Sequence, residues 1–230
     1  MGIFSAFKIT KDVTPEERRA KNNSFIKSSG IACFENLPMI EDEIKEKFKD
    51  IDTICKRAIT SLLIIQLAFD ANTGNYEEGR EGIIKWLDKF DVKECLIPKE
   101  KALLDGEYTK QDAIDISWTY EAYWSLVWAL GLVNDIKKPY DICDCRTAIN
   151  LVASCESFNE FKNKCKIRDI NEIVNMLDLY YRYHWACVEK QVNPNTNIGL
   201  LNPGVVVERR RGLEWLFSEE DDWNKISLDT

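Results

Sequence analysis

Apolar positions recur at helical spacing along most of this chain, and no stretch alternates in strict two-residue period, so the pattern predicts an all-α fold. Thr14-Pro15-Glu16-Glu17 is a capping box with proline at the first helical position, and Gly30 is placed to end that helix. The chain then runs extended through IACFENLP. A second helix is expected over 44–72, almost wholly apolar in its second half, and a third over 76–90 with Ile83, Ile84 and Leu87 on one face. Pro98 opens a short helix that Gly106 ends, and a long helix is expected over 112–132. After the turn-rich piece NDIKKPYDICDC come two short helices, near 146–154 and 158–165. Asp169 caps a long one over 170–191. The loop QVNPNTNIGLLNPG leads to a last helix over 203–217. No repeat of fixed period and no low-complexity linker divides the chain. The expected organisation is an N-terminal tail over 1–14, one compact irregular multi-helix domain over 15–217 around a central tryptophan-rich helix, and an acidic tail over 218–230 packing on or near it.

That tryptophan-rich helix holds the most unusual residue. Glu121 is the only charge in ISWTYEAYWSLVWALGLV. A helix that is apolar all round is buried, and a buried carboxylate needs a cation or hydrogen-bond donors. At about 100° per residue, Ser117, Trp118, Glu121, Trp124, Ser125 and Trp128 share one side, while Tyr123, Leu126, Val127 and Leu130 share the other. One side reads as pure core, the other as a semi-polar interior or the wall of a pocket.

The helix over 170–191 carries an apolar stripe from Ile170 through Tyr180 and Trp185 to Val188, which includes the only histidine, His184. A single histidine on such a face reads first as a satisfied core residue. Asp178 and Arg182, spaced i,i+4 on the stripe's edge, read as a helix-surface ion pair. In VVVERRRGLEWLF, Arg209 and Arg210 flank the apolar stripe while Arg211 points away with Glu208 and Trp215. Arg209 or Arg210 is therefore the expected partner of Glu121, and a guanidinium fork suits a buried carboxylate better than an ammonium does. The structural pair is weighed against a sharper alternative, an arginine holding a substrate anion beside a glutamic acid.

Composition narrows the function classes. The formal net charge of -8 argues against broad binding to nucleic acid, which requires a positive field. It is compatible with a basic protein partner. MGIFSAFKIT lacks the apolar core of a signal peptide, and Ala6 stands where myristoylation needs Ser or Thr. The expected compartment is therefore a reducing cytoplasm with free thiols. Of eight cysteines only Cys143 and Cys145 are close, a weak candidate for a redox pair. No segment reads as membrane-spanning. One histidine rules out a multi-histidine metal site, no cofactor is implied, and P-loop, G-x-G-x-x-G and G-x-S-x-G motifs are absent.

The ordered set W-x-Y-E-A-Y-W-S-L-V-W-A-L-G-L (from Trp118), C-D (Cys143), D-L-Y-Y-R-Y-H-W-A (from Asp178), P-G-V-V-x-E-R-x-x-x-L-x-W-L (from Pro203) and W-x-x-x-S-x-D-T (from Trp223) resembles the bacterial family called domain of unknown function 4272, over about residues 15–230. The matching positions include Trp118, Glu121, Trp124, Trp128, Gly131, Asp178, Arg182, His184, Trp185, Pro203, Gly204, Glu208, Arg209, Leu213, Trp215 and Asp229. In such relatives the position of Arg210 is often His and that of Glu214 often Asn, which weakens an acid-base role on that helix. The resemblance implies no activity.

The favoured expectation is a non-catalytic binding or regulatory protein with a protein partner, suggested by the acidic tail and the net charge. One alternative is an enzyme or small-molecule receptor using Glu121 as an acid in a tryptophan-lined pocket, because a carboxyl buried without a cation holds its proton to higher pH. Another is an immunity-type protein that binds a toxin.

Overall fold

The computed structural model describes residues 13–230, so most of the expected N-terminal tail, and with it the leader and myristoylation readings, lies outside the described residues. The described residues form ten α-helices and no strand: α1 (Pro15–Ser28), α2 (Ile51–Thr73), α3 (Tyr76–Phe90), α4 (Pro98–Asp105), α5 (Lys110–Trp118), α6 (Tyr120–Ala129), α7 (Cys145–Ala153), α8 (Phe158–Lys164), α9 (Ile170–Val192) and α10 (Pro203–Trp215). Their buried apolar side chains make one continuous core. None is long and apolar enough to cross a membrane.

Helix starts follow their capping chemistry. Thr14 accepts from the backbone N–H of Glu17, whose carboxylate accepts from the N–H of Thr14. Asp50, Asp144, Asp169 and Asn202 accept from the first free N–H groups of α2, α7, α9 and α10. The second helix therefore begins at Ile51 rather than near residue 44. Asp42–Lys47 form a separate 3-10 turn, because Asp50 offers its side chain to the N–H groups of Asp52 and Thr53 and so sets a new start.

The expected continuous helix over 112–132 is two helices. Ser117 and Thr119 turn their hydroxyls back onto the carbonyls of Ile114 and Ile116, at 2.6 and 2.7 Å, and such back-bonding bends a helix. The bend separates Trp118 from Glu121. Every residue of α6 is buried, while Trp118 at the end of α5 is 45% exposed.

Helix α10 lies against both α6 and α9. Gly212 sets the approach: a β-carbon there would sit 2.4 Å from the Ala122 carbonyl oxygen and 3.0 Å from Cβ of Ser125. Ser125 Oγ donates across the same contact to the Arg209 carbonyl at 3.0 Å. Beyond α10 the chain folds back over its own base. Trp215 Nε1 donates to the Asp221 carbonyl, Trp223 is buried edge-on to Trp215, and Arg210 donates to the carbonyls of Leu228 and Asp229.

Candidate functional site

The close approach of α10 to α6 delivers Arg209 to Glu121. Arg209 Nε donates to Glu121 Oε2 at 2.8 Å, and the backbone N–H of Cys143 donates to Oε1 at 2.6 Å. Each carboxylate oxygen thus has a donor, and Glu121 is 2% exposed. The rest of the guanidinium is also engaged, with Nη1 directed at the Tyr180 hydroxyl and Nη2 at the Asp141 carbonyl, at 3.4 and 3.3 Å. Burial works against the charge of Arg209, but Tyr180 and Glu121 outweigh it and hold its pKa above the ordinary arginine value. Tyr180 in turn donates to the Ile136 carbonyl. This cluster therefore joins α6, α9, α10 and the 136–143 loop through one ion pair.

The remaining sequence-selected residues form separate groups rather than one pocket. Asp178 and Arg182 are each 1% exposed, bonded bidentately at 2.7 and 2.9 Å, so the expected surface pair is an interior one. The reason is α1: Asn22 reaches across to Asp178 at 2.8 Å and to the Asn175 carbonyl, sealing that edge of α9. A third group surrounds His184, whose Nδ1 lies 2.7 Å from Arg210 Nη1. Arg210 also holds Glu214 and the two tail carbonyls. Burial, reinforced by Arg210 and Arg211, pushes His184 down to about 4, so the imidazole is neutral and accepts from Arg210. Burial raises Glu214 despite Arg210.

Arg211 pairs with Glu208 at 3.1 Å and donates to the Trp223 carbonyl, and burial raises Glu208 against that pairing. Trp215, expected to point away with them, is buried instead and takes the Lys49 ammonium over its ring. Trp128 is covered by the Arg168 guanidinium, 4.9 Å from its ring, Trp124 is buried, and Trp185 stacks partly on Phe34.

A further interior pair escapes sequence reasoning. Arg57 on α2 and Glu100 on α4 meet at 2.5 Å, both almost fully buried, with the guanidinium 4.9 Å from the Trp223 ring. The signal was present as a cation at the edge of the apolar run of α2, and Glu100 occupies the third position of a helix, where its carboxylate also caps the N–H of Ile97.

Trp118 does not share a pocket with Glu121: it is exposed at the end of α5, while Glu121 is buried in α6. Of five surface clefts of 240 to 570 Å³, none is lined by Glu121. Trp118 instead walls a cleft of 520 Å³ with Pro203, Gly204, Val207, Glu208 and Arg211. Its ring lies over Gly204, where an added β-carbon would come within 3.1 Å of Cζ3. Among the described residues no cluster of three His, Cys, Asp or Glu side chains is arranged to hold a metal.

The motif positions from Trp118 to Trp223 that share these clusters also lie inside a single sequence-family match. The profile described as Domain of unknown function (DUF4272) matches residues 18–226. The chain belongs to the DUF4272 family. No curated protein and no solved structure matches it. The DUF4272 motif residues of this chain fall into two kinds: Glu121, Asp178, Arg182, Arg209 and Trp215 are interior, while Trp118, Pro203 and Gly204 border the open cleft.

Proposed function

We propose that this DUF4272 protein is a non-catalytic binding protein, acting in a reducing compartment, and that it recognises a protein partner through the cleft bordered by Trp118. The observation that carries this reading is the placement of Trp118. It is the most exposed of seven tryptophans, and the bend at Thr119 turns it out of a helix pair that otherwise buries its aromatic rings. Exposed tryptophans at the rim of a cleft are the residue type that dominates binding energy at protein interfaces. Around it Pro203, Gly204 and Val207 offer apolar surface, and the Glu208–Arg211 and Lys99–Asp115 pairs form a charged rim.

Supporting this reading from the other side, Glu121 has both oxygens engaged inside the core and no cleft beside it among those described, so it serves as a brace. The acidic segment 218–222 presents Glu219 and Asp221 with side chains 82% and 90% exposed and within ion-pair distance of Lys47 and Lys49, solvent-screened pairs that a basic partner can compete for. Eight thiols without a disulfide fit a reducing compartment.

The test is chemical cross-linking in source lysate followed by affinity capture, run in parallel with wild type and Trp118→Ala. Because Trp118 is half-exposed, the substitution is expected to leave unfolding unchanged within about 1 kcal/mol. The expected result is a discrete partner recovered with wild type and reduced at least tenfold with the variant. Equal recovery with both proteins, or none with either, counts against the proposal.

A further inference from the structure

Two thiols outside all the clusters above face each other. Cys55 lies in the second turn of α2 and is fully buried, while Cys165 caps the C-terminal end of α8 and is partly exposed. Their sulfurs are 3.7 Å apart although the residues are 110 positions apart in sequence. The Cys55 thiol donates to the Cys165 sulfur, and Cys165 is also within 3.3 Å of the Phe161 carbonyl. An ion pair between Lys162 on α8 and Asp52 in the first turn of α2 holds the two helices together at this point. The sequence-adjacent candidates are arranged differently. Cys145 directs its sulfur to the Cys143 carbonyl at 3.7 Å, and burial pushes the Cys143 thiol well up, so that dithiol is poorly placed to react.

We infer that Cys55 and Cys165 form a peroxide-responsive dithiol that closes reversibly to a disulfide between α2 and α8. The sulfurs must approach by about 1.7 Å to reach bonding distance, a movement within reach of side-chain rotation at the end of a seven-residue helix. The hydrogen bond from Cys55 lowers the pKa of Cys165 and raises that of Cys55, which makes the more accessible sulfur the first nucleophile. The Cys165 thiolate attacks one oxygen of hydrogen peroxide, giving a sulfenic acid and hydroxide. That hydroxide takes the Cys55 proton and leaves as water. The Cys55 thiolate then attacks the Cys165 sulfur and displaces the sulfenic hydroxyl as hydroxide, which is protonated to water. In balance, two thiols and one peroxide give one disulfide and two waters. A dithiol reductant reverses the bond, as transient disulfides in reducing compartments require.

The experiment treats the folded full chain with hydrogen peroxide, then denatures and alkylates it and maps peptides by mass spectrometry. The expected result is loss of two of the eight titratable thiols and a peptide linking Cys55 to Cys165, both restored by dithiothreitol. In Cys55→Ser the sulfenic acid should persist on Cys165 and be trapped by dimedone. In Cys165→Ser all seven remaining thiols should survive the same treatment. Retention of eight thiols, a link between any other pair, or overoxidation of Cys165 with Cys55 still free would overturn the inference. Cys155 is the internal competitor, since the Lys164 ammonium lies 3.1 Å from its sulfur, and its oxidation ahead of Cys165 would do the same.

Discussion

Glu121 shows how far a single charge can be interpreted. The sequence marks it as a carboxylate needing a partner, and the geometry supplies two donors, one of them a backbone N–H that no pattern of side chains reveals. Glu121→Gln leaves Arg209 buried with a neutral neighbour, and the expected cost is about 3 kcal/mol in urea unfolding. An unfolding midpoint equal to wild type would show that the pair contributes nothing. His184 carries a second prediction, in pH. Its pKa is about 4 in the folded chain against about 6.5 unfolded, so the unfolded state binds the extra proton between those values. The stability that its neutral form contributes is complete above pH 6.5 and is lost as pH falls towards 4. His184→Gln should flatten that part of the stability profile by on the order of 2 kcal/mol, allowing for solvent screening. Glu214, whose pKa is raised, acts in the opposite direction in both proteins and cancels from the comparison. Denaturant titrations of the two proteins at pH 7, 5.5 and 4.5 make the measurement. A profile as steep in the variant as in wild type sinks this reading. The Asp178–Arg182 pair was legible as a pair but not as an interior one. An i,i+4 spacing looks the same on a wet or a dry face, and the dryness here comes from Asn22, 156 positions away.

At the level of helices, capping chemistry made the starts at Thr14, Asp169 and Asn202 legible, while Asp50 and Thr109 cap helices that the apolar pattern starts near residues 44 and 112. The bend at Thr119 was not legible, because apolar periodicity continues straight through it. Two hydroxyls competing for main-chain carbonyls decided the geometry instead. That bend divided the candidate pocket into an interior pair and an exposed tryptophan. Helix α10 could be placed from its apolar stripe, but its contact with α6 depends on Gly212, which the sequence offers only as an absent side chain. Gly212→Ala inserts a methyl group 2.4 Å from a carbonyl oxygen of a fixed helix. It should separate α10 from α6 and cost roughly 2 to 3 kcal/mol by thermal or urea unfolding. Because alanine otherwise favours helix over glycine by about 1 kcal/mol, a stabilised variant would show that the two helices are not in this contact.

For the molecule as a whole, the all-α class was legible and the wiring was not, because three adjacent arginines of α10 each close a different junction. Arg209 joins α6 and the 136–143 loop, Arg210 joins α9 and the chain end, and Arg211 joins the turn at Trp223. Removing residues 218–230 would take away the buried Trp223 ring and three carbonyl acceptors of Arg210 and Arg211. The shortened chain is expected to lose on the order of 3 kcal/mol, from the aromatic burial and the orphaned donors, and to be cleaved faster by trypsin under native conditions. Unchanged proteolysis would mean that the end segment does not lock α10. The pairing of Glu121 with a residue 88 positions further along also has a temporal side. During synthesis at about 5–20 residues per second, α6 leaves the ribosome roughly 4 to 18 seconds before its counterion exists. Until α10 follows, the carboxylate of the otherwise uncharged α6 lacks its cation, so burial of that helix is expected to wait on α10.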